Sequence, residues 1–253
     1  MDNRIPAETQ QNRFLSLLSK DDFESLSSHL SAVPLDYRLS LYEADQTIEY
    51  VYFLESGVAS VVTTMKDGRA AEVGTIGNEG LVGLPILLGD TCTGTSVYIQ
   101  VPGKGHRMSA SSFRSALERH PAMKVHLLHY AHVFMNQISQ SAACNLFHTL
   151  EQRCCRWLLM TGDRMTSDEF LLTQEFLAMM LGVRRAGVTV AAGALQSRGL
   201  ITYQRGHVKI LDRPGLEAQS CECYDVTRRE FDELLGKERK KPQISYRPMP
   251  IAS

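Results

Sequence analysis

Two adjacent arginines, Arg184 and Arg185, stand at the head of a run of small and apolar residues that extends to Ser197. A guanidinium offers two parallel N–H donors. Set against a guanine edge, it bonds O6 and N7 together, which is worth roughly 1–3 kcal/mol of base discrimination. Thr189 lies one helical turn beyond Arg185 and shares its face, while Ala186 and Gly187 keep that face slim enough to enter a groove. Around this face lie Thr173, Arg198, Gln204, Arg205, His207 and Lys209, donors suited to phosphate oxygens. Such contacts fix register without reading bases. Over residues 170–213 six cations (Arg184, Arg185, Arg198, Arg205, Lys209, Arg213) face two anions (Glu175, Asp212), whereas the whole chain carries a net charge of −1. The positive charge is therefore local, and it points to a polyanion as partner.

The elements needed to hold these groups are legible around them. Thr173 suits the cap of a first helix, with Glu175 in its first turn and Phe176, Leu177, Met180 and Leu181 as its apolar face. Gly182 permits a tight turn. Val188, Ala191, Ala192 and Leu195 recur at helical spacing and give the second helix a buried side. A helix pair with a glycine turn would also suit an αα-hairpin inside a core. What distinguishes it is the strand–Gly–strand pattern that follows, 200–203 and 207–211 around Gly206. Together these make a winged helix-turn-helix, which places its second helix in the major groove of double-stranded DNA.

Upstream, the chain divides by texture. Residues 1–13 are polar and expected to fray. Two short helices are expected over 14–30. From Val33 to Met108, short β-rich runs (50–54, 58–62, 72–76, 96–101) alternate with turn signals at 55–57, 66–68, 89–90 and 102–103, the pattern of a barrel or jelly roll. A helix over 109–120 stops before Pro121. A long helix follows, in which Leu128, Ala131, Met135, Ile138, Ala142 and Asn145 recur at three- and four-residue steps. That heptad-like seam suits pairing with a second copy; its other reading is a helix buried in one domain. A further helix spans 150–160, and one more is expected over 227–235. The expected organisation is a flexible N-terminus (1–13), a sensor domain (14–120), a dimerisation helix (121–148), a DNA-binding domain (149–222) and a C-terminal tail (223–253) whose end is rich in Pro and Lys. The fold class is α+β.

Other chemistries are poorly represented. No nucleophile–base constellation, phosphate loop or zinc motif is recognisable, so an enzyme is not expected. The longest apolar run, 81–88, is interrupted by Gly83 and Pro85, and the first residues lack the apolar core of a signal peptide. No membrane partner and a cytoplasmic location are the expectation. The cysteines at 92, 144, 154, 155, 221 and 223 form no C-x-x-C pair and are expected to be reduced thiols. Cys154-Cys155 and Cys221-x-Cys223 leave oxidant sensing open. His126, His129 and His132 are expected to face solvent, and no metal or cofactor is expected.

The residues 172–185 (LTQEFLAMMLGVRR) and 195–201 (LQSRGLI), after a β-barrel and a long helix, resemble the Crp/Fnr family of bacterial transcription regulators. The likeness covers about 14–212, specific in its second half and architectural in its first. It implies a homodimer on a palindromic operator, with RNA polymerase and a small-molecule effector as further partners. Arg185 matches the first arginine of the family's base-reading set, but Ala186 and Val190 replace its glutamate and second arginine. Residues 77–83 (GNEGLVG) resemble the start of the phosphate cassette of the cyclic-nucleotide-binding members. The cassette's arginine is missing from 91–96 (TCTGTS), which argues against a cyclic phosphodiester as effector; Glu79 is then a structural remnant or surface residue. With no cysteine before Cys92, the iron–sulfur layout of other members is excluded.

Overall fold

The computed structural model describes residues 12–165 and 167–236; the ends expected to be unstructured, 1–11 and 237–253, lie outside them. Asn12 and Arg13, assigned above to the frayed terminus, are anchored. The buried Asn12 amide donates to the carbonyls of Leu54 (2.8 Å) and Gly80 (2.9 Å), and Arg13 pairs with Asp232 at 3.2 Å.

After a 3-10 turn at Leu15–Leu17 and helix α1 (Lys20–Ser27), where two helices were expected, the chain enters an antiparallel sheet. Its strands are β1 (Ser31–Leu35), β2 (Ser40–Tyr42), β3 (Tyr50–Thr64), β4 (Ala70–Ile76) and β5 (Ser96–Ser109), in the order β1-β5-β3-β4 with β2 also on β5. Two long strands carry the architecture. Residues 50–54 of β3 pair with 105–109 of β5, and 58–62 pair with 96–101. The signals at 55–57 and 102–103 are therefore bulges inside continuous strands rather than turns. Gly57 has φ of 88°, and a Cβ on Gly103 would lie 2.1 Å from the Ser56 carbonyl oxygen. Glycine in a strand marks such close backbone approach. The bends let β3 and β5 serve both layers of an open jelly roll. The 66–69 turn does close a hairpin, between β3 and β4, with Gly68 at φ 82°.

Helix α2 (Leu84–Leu87) is followed beyond β5 by α3 (Ala110–Arg119), capped by the Ser109 hydroxyl, and α4 (Pro121–Phe147) begins on Pro121, whose missing N–H costs nothing there. Then come α5 (Leu150–Gly162), opened by a Thr149/Gln152 capping box, β6 (Glu169–Leu171), α6 (Gln174–Met180), α7 (Arg185–Ser197), β7 (Ile201–Gln204), β8 (His207–Ile210), α8 (Arg213–Gln219) and α9 (Glu222–Leu234). The helix expected over 227–235 thus starts five residues earlier, and it packs back on α4, with Phe231 6.3 Å from Tyr130 between ring centroids.

One core joins the jelly roll to α4 and Phe231; a second joins α5 to the helix-turn-helix and reaches Val58 and Val101 of the sheet. Among the described residues no single helix is long and apolar enough to cross a membrane.

Candidate nucleic-acid interface

The Thr173 hydroxyl accepts the Phe176 amide at 3.2 Å and starts α6. Gly182, at φ 61°, lets the chain reverse, and α7 leaves at 105° to α6. This is the crossing angle of a helix-turn-helix. Val188, Ala191, Ala192 and Leu195 are all buried, so α7 is rotated as its apolar spacing requires. Its opposite side, with Arg184 at the N-cap, Arg185, Ala186, Thr189 and Val190, is exposed; Val190 is 74% accessible. Arg185 pairs with Glu175 at 3.2 Å, and the Thr189 hydroxyl donates to Gln174 Oε1 at 2.9 Å. The three candidate base readers are therefore all accessible, and two of them, Arg185 and Thr189, are held by the first turn of α6.

The wing forms as β7 and β8 with β6 as third strand, in the order β6-β8-β7. Its tip is Arg205-Gly206, both at positive φ (51° and 80°). A two-residue hairpin needs this because mirror-image turns match the strand twist. Gln204, Arg205, His207 and Lys209 are exposed on the wing, with His207 Nδ1 3.8 Å from Glu169. Arg198 differs: its guanidinium is bonded to Glu151 of α5 and to Gln219 at the end of α8 (3.1 Å). In this structure it ties the recognition helix to its support.

The helix-turn-helix is docked on the jelly roll. Phe176 packs edge-on against Tyr98 (5.9 Å) and near Tyr37 (6.0 Å), and Met180 Sδ lies 3.4 Å from the Ser60 hydroxyl. Glu72 of β4 accepts from the Trp157 indole of α5 (3.0 Å) and the Ser60 hydroxyl (2.6 Å). Its pKa is pushed up to about 7, mainly by burial.

Glu79 is not a surface residue. Its carboxylate is buried and accepts from Arg164 Nε (2.9 Å) and Nη2 (2.7 Å), as well as from the Gly77 amide (3.1 Å). Arg164 also donates to the carbonyl of Met160 in α5 and to Gln137 of α4. The pair joins the jelly-roll loop, the long helix and the second domain. Nothing in the spacing of residues 79 and 164 announces it. Beside it lies a cavity of about 310 Å³ lined by Arg13, Asp163, Arg213 and Arg228.

Along α4 the structure rotates the expected seam. Leu128, Met135, Ala142 and Asn145 are exposed, but Ala131 is buried and Ile138 packs against the jelly-roll core. Apolar residues occur all round this helix, so spacing alone did not separate the inner face from the outer. The outward stripe runs Val125, Leu128, His132, Met135, Ser139, Ala142, Leu146, in alternating steps of three and four. His126, His129 and His132 are exposed. Cys154 and Cys155 are buried in the second core; burial raises both thiols, Cys155 to about 12, so neither carries the thiolate that oxidation requires.

Residues 39–120 match the family model of the cyclic nucleotide-binding domain, and residues 152–219 match that of the Crp-like helix-turn-helix domain. Nothing among curated proteins matches. Among solved structures, FixK2 from Bradyrhizobium japonicum superposes with a TM-score of 0.65 at 15% identity, covering 76% of this chain and 98% of its own. A putative transcriptional regulator of the Crp/Fnr family from Eubacterium rectale gives 0.62 at 15% (81% and 95%). The c-di-GMP-responsive global regulator CLP of Xanthomonas campestris gives 0.60 at 16% (76% and 99%). At such identities these likenesses speak for the fold. The two domain models, in this order and together spanning more than half of the sequence, speak for kinship. With a jelly roll, a long connecting helix and a winged helix-turn-helix in sequence, the chain belongs to the Crp/Fnr family of DNA-binding transcription regulators.

Proposed function

We propose that the protein works as a homodimer that reads a palindromic operator, with one α7 in each of two major-groove segments about one helical turn, roughly 34 Å, apart. The observation that carries this reading is the exposed face of α7, where Arg184, Arg185 and Thr189 stand together while the opposite face is fully packed. Thr173, Gln204, Arg205, His207 and Lys209 serve the flanking phosphates, and Arg198 joins them on releasing Glu151. The copies pair along the outward stripe of α4. RNA polymerase is a further partner where the bound dimer lies at a promoter, and the cytoplasm is the place of action.

A signal received by the jelly roll acts through the docked α6 and α5, shifting the population between DNA-competent and incompetent settings of the helix-turn-helix. Two observations argue against a cyclic phosphodiester as that signal: 91–96 holds no arginine, and the Glu79 carboxylate is already taken by Arg164.

Selection of bound DNA from a random pool, with and without cell extract, tests the reading. It should enrich an inverted repeat, and binding to arbitrary duplex should fall steeply as salt rises. No enrichment together with salt-insensitive binding would overturn it and would make the helix-turn-helix a protein interface.

A further inference from the structure

Apart from the two main cores, three buried cysteines gather with a histidine where the long helix meets the DNA-binding domain. Cys144 lies in the last turn of α4, and His148 at its C-cap. The i, i+4 spacing puts both on one side of the chain as it leaves the helix. Cys221 is the N-cap of α9, and Cys223 lies in its first turn. The four potential ligand atoms all lie within 4.8 Å of one another. Cys144 Sγ and Cys221 Sγ are 3.6 Å apart, and Cys223 Sγ is 3.5 Å from His148 Nδ1.

The sulfur–sulfur and sulfur–nitrogen distances of 3.6 and 3.5 Å are those of a tetrahedral site, and the bound of 4.8 Å on the rest lets one ion draw all four atoms in. Metal–sulfur bonds of about 2.3 Å and a metal–nitrogen bond of about 2.0–2.1 Å put sulfurs about 3.8 Å apart and sulfur about 3.5 Å from nitrogen. The surroundings complete the pattern. His148 offers Nδ1 to the cluster, and its Nε2 is 3.1 Å from the Glu222 carboxylate. A carboxylate on the outer nitrogen fixes ring orientation and tautomer in metal-bound histidines. Gln140 donates its amide to Cys223 Sγ at 3.0 Å. Three thiolates and a divalent cation leave one negative charge; the guanidinium charge of Arg153 reaches Cys144 and Cys221, and that of Arg156 reaches Cys144.

We propose that Cys144, His148, Cys221 and Cys223 form a closed site for a divalent, tetrahedral, thiophilic cation of the zinc class. With four protein ligands it has no position left for substrate, so its role is structural. It clips the start of α9 to the corner between α4 and α5, the corner from which the helix-turn-helix is suspended. Binding releases the thiol protons to solvent and involves no redox change.

Cobalt(II) titration of the full-length protein, reduced and freed of metal, tests the site. The expected result is the visible ligand-field and sulfur-to-metal charge-transfer absorption of a tetrahedral thiolate complex, saturating at one ion per chain and abolished by added zinc. Cys223→Ser and Cys144→Ser should lower the affinity at least tenfold, while Cys92→Ser, at an exposed thiol, leaves it unchanged. Zinc should also slow amide exchange across α9, a readout that needs no DNA. Absence of the cobalt spectrum from protein that circular dichroism shows to be folded would overturn the proposal. So would an unchanged spectrum and affinity in Cys223→Ser, or a Cys144–Cys221 disulfide whose reduction restores no metal uptake.

Discussion

Arg185 is held by Glu175 through a pair exposed on both sides. Such pairs contribute about 0–1 kcal/mol, so a guanine edge can displace the carboxylate at little cost. Arg185→Ala should flatten discrimination at one base pair of each half-site, by roughly 1–3 kcal/mol in competition binding against operator variants, with little change in affinity for random duplex. Unchanged discrimination would remove Arg185 from the reading set. Arg164 is the opposite case. Its charge and that of Glu79 are both buried, and breaking a buried pair leaves a desolvated charge alone. Arg164→Met should lower stability by about 3–5 kcal/mol, read from the urea midpoint. The exposed placement of Arg184 and Arg185 at the head of α7 was legible because it depends on local spacing. Arg164 was not, because its partner lies 85 residues away.

At the scale of elements, α4 has two tasks, and its composition serves both. One side, with Met123, Leu127, Tyr130 and Phe134, closes the jelly-roll core. The other presents the three-and-four stripe to solvent, with Met135 63% accessible. Met135→Glu should therefore yield monomers in analytical ultracentrifugation and weaken operator binding, with the urea midpoint of the single chain unchanged. A dimer of undiminished affinity would take the stripe out of the interface. Ile138 is unsuitable for this test, since it packs against the core and a charge there would destabilise the single chain as well. The helix-turn-helix and wing were readable in advance because each is a local pattern of caps, turns and apolar spacing. The bulged strands β3 and β5 were not, because the glycines that mark a turn also mark a bulge.

For the whole molecule, the decisive contact is between domains, where α5 and α6 lie on the jelly roll and Glu72 meets Trp157. Glu72 titrates near 4.5 when freely solvated and about 7 in the fold, because burial disfavours its charge. The fold therefore binds the proton more tightly than the unfolded chain does. The stability this proton confers is complete below pH 4.5 and is lost as pH rises through 7. Urea midpoints should accordingly fall between about pH 5 and about pH 8, and Glu72→Gln should flatten that fall. An equal fall in the variant would assign the pH dependence to other groups.

The amino-acid sequence by itself determined the kinds and order of the parts: a β-rich domain, a long helix, and a winged helix-turn-helix with two arginines leading its second helix. Each depends on residues within a few positions of one another, and periodicity, caps and turn residues act at that range. Only the tertiary structure decided which face of α4 looks outward, which carboxylate meets Arg164, that Arg198 is tied to Glu151, and that α9 returns to bring Cys221 and Cys223 beside Cys144 and His148. Those pairings join residues tens of positions apart. They arise when separate apolar faces are buried against one another, and no local spacing encodes which faces will meet.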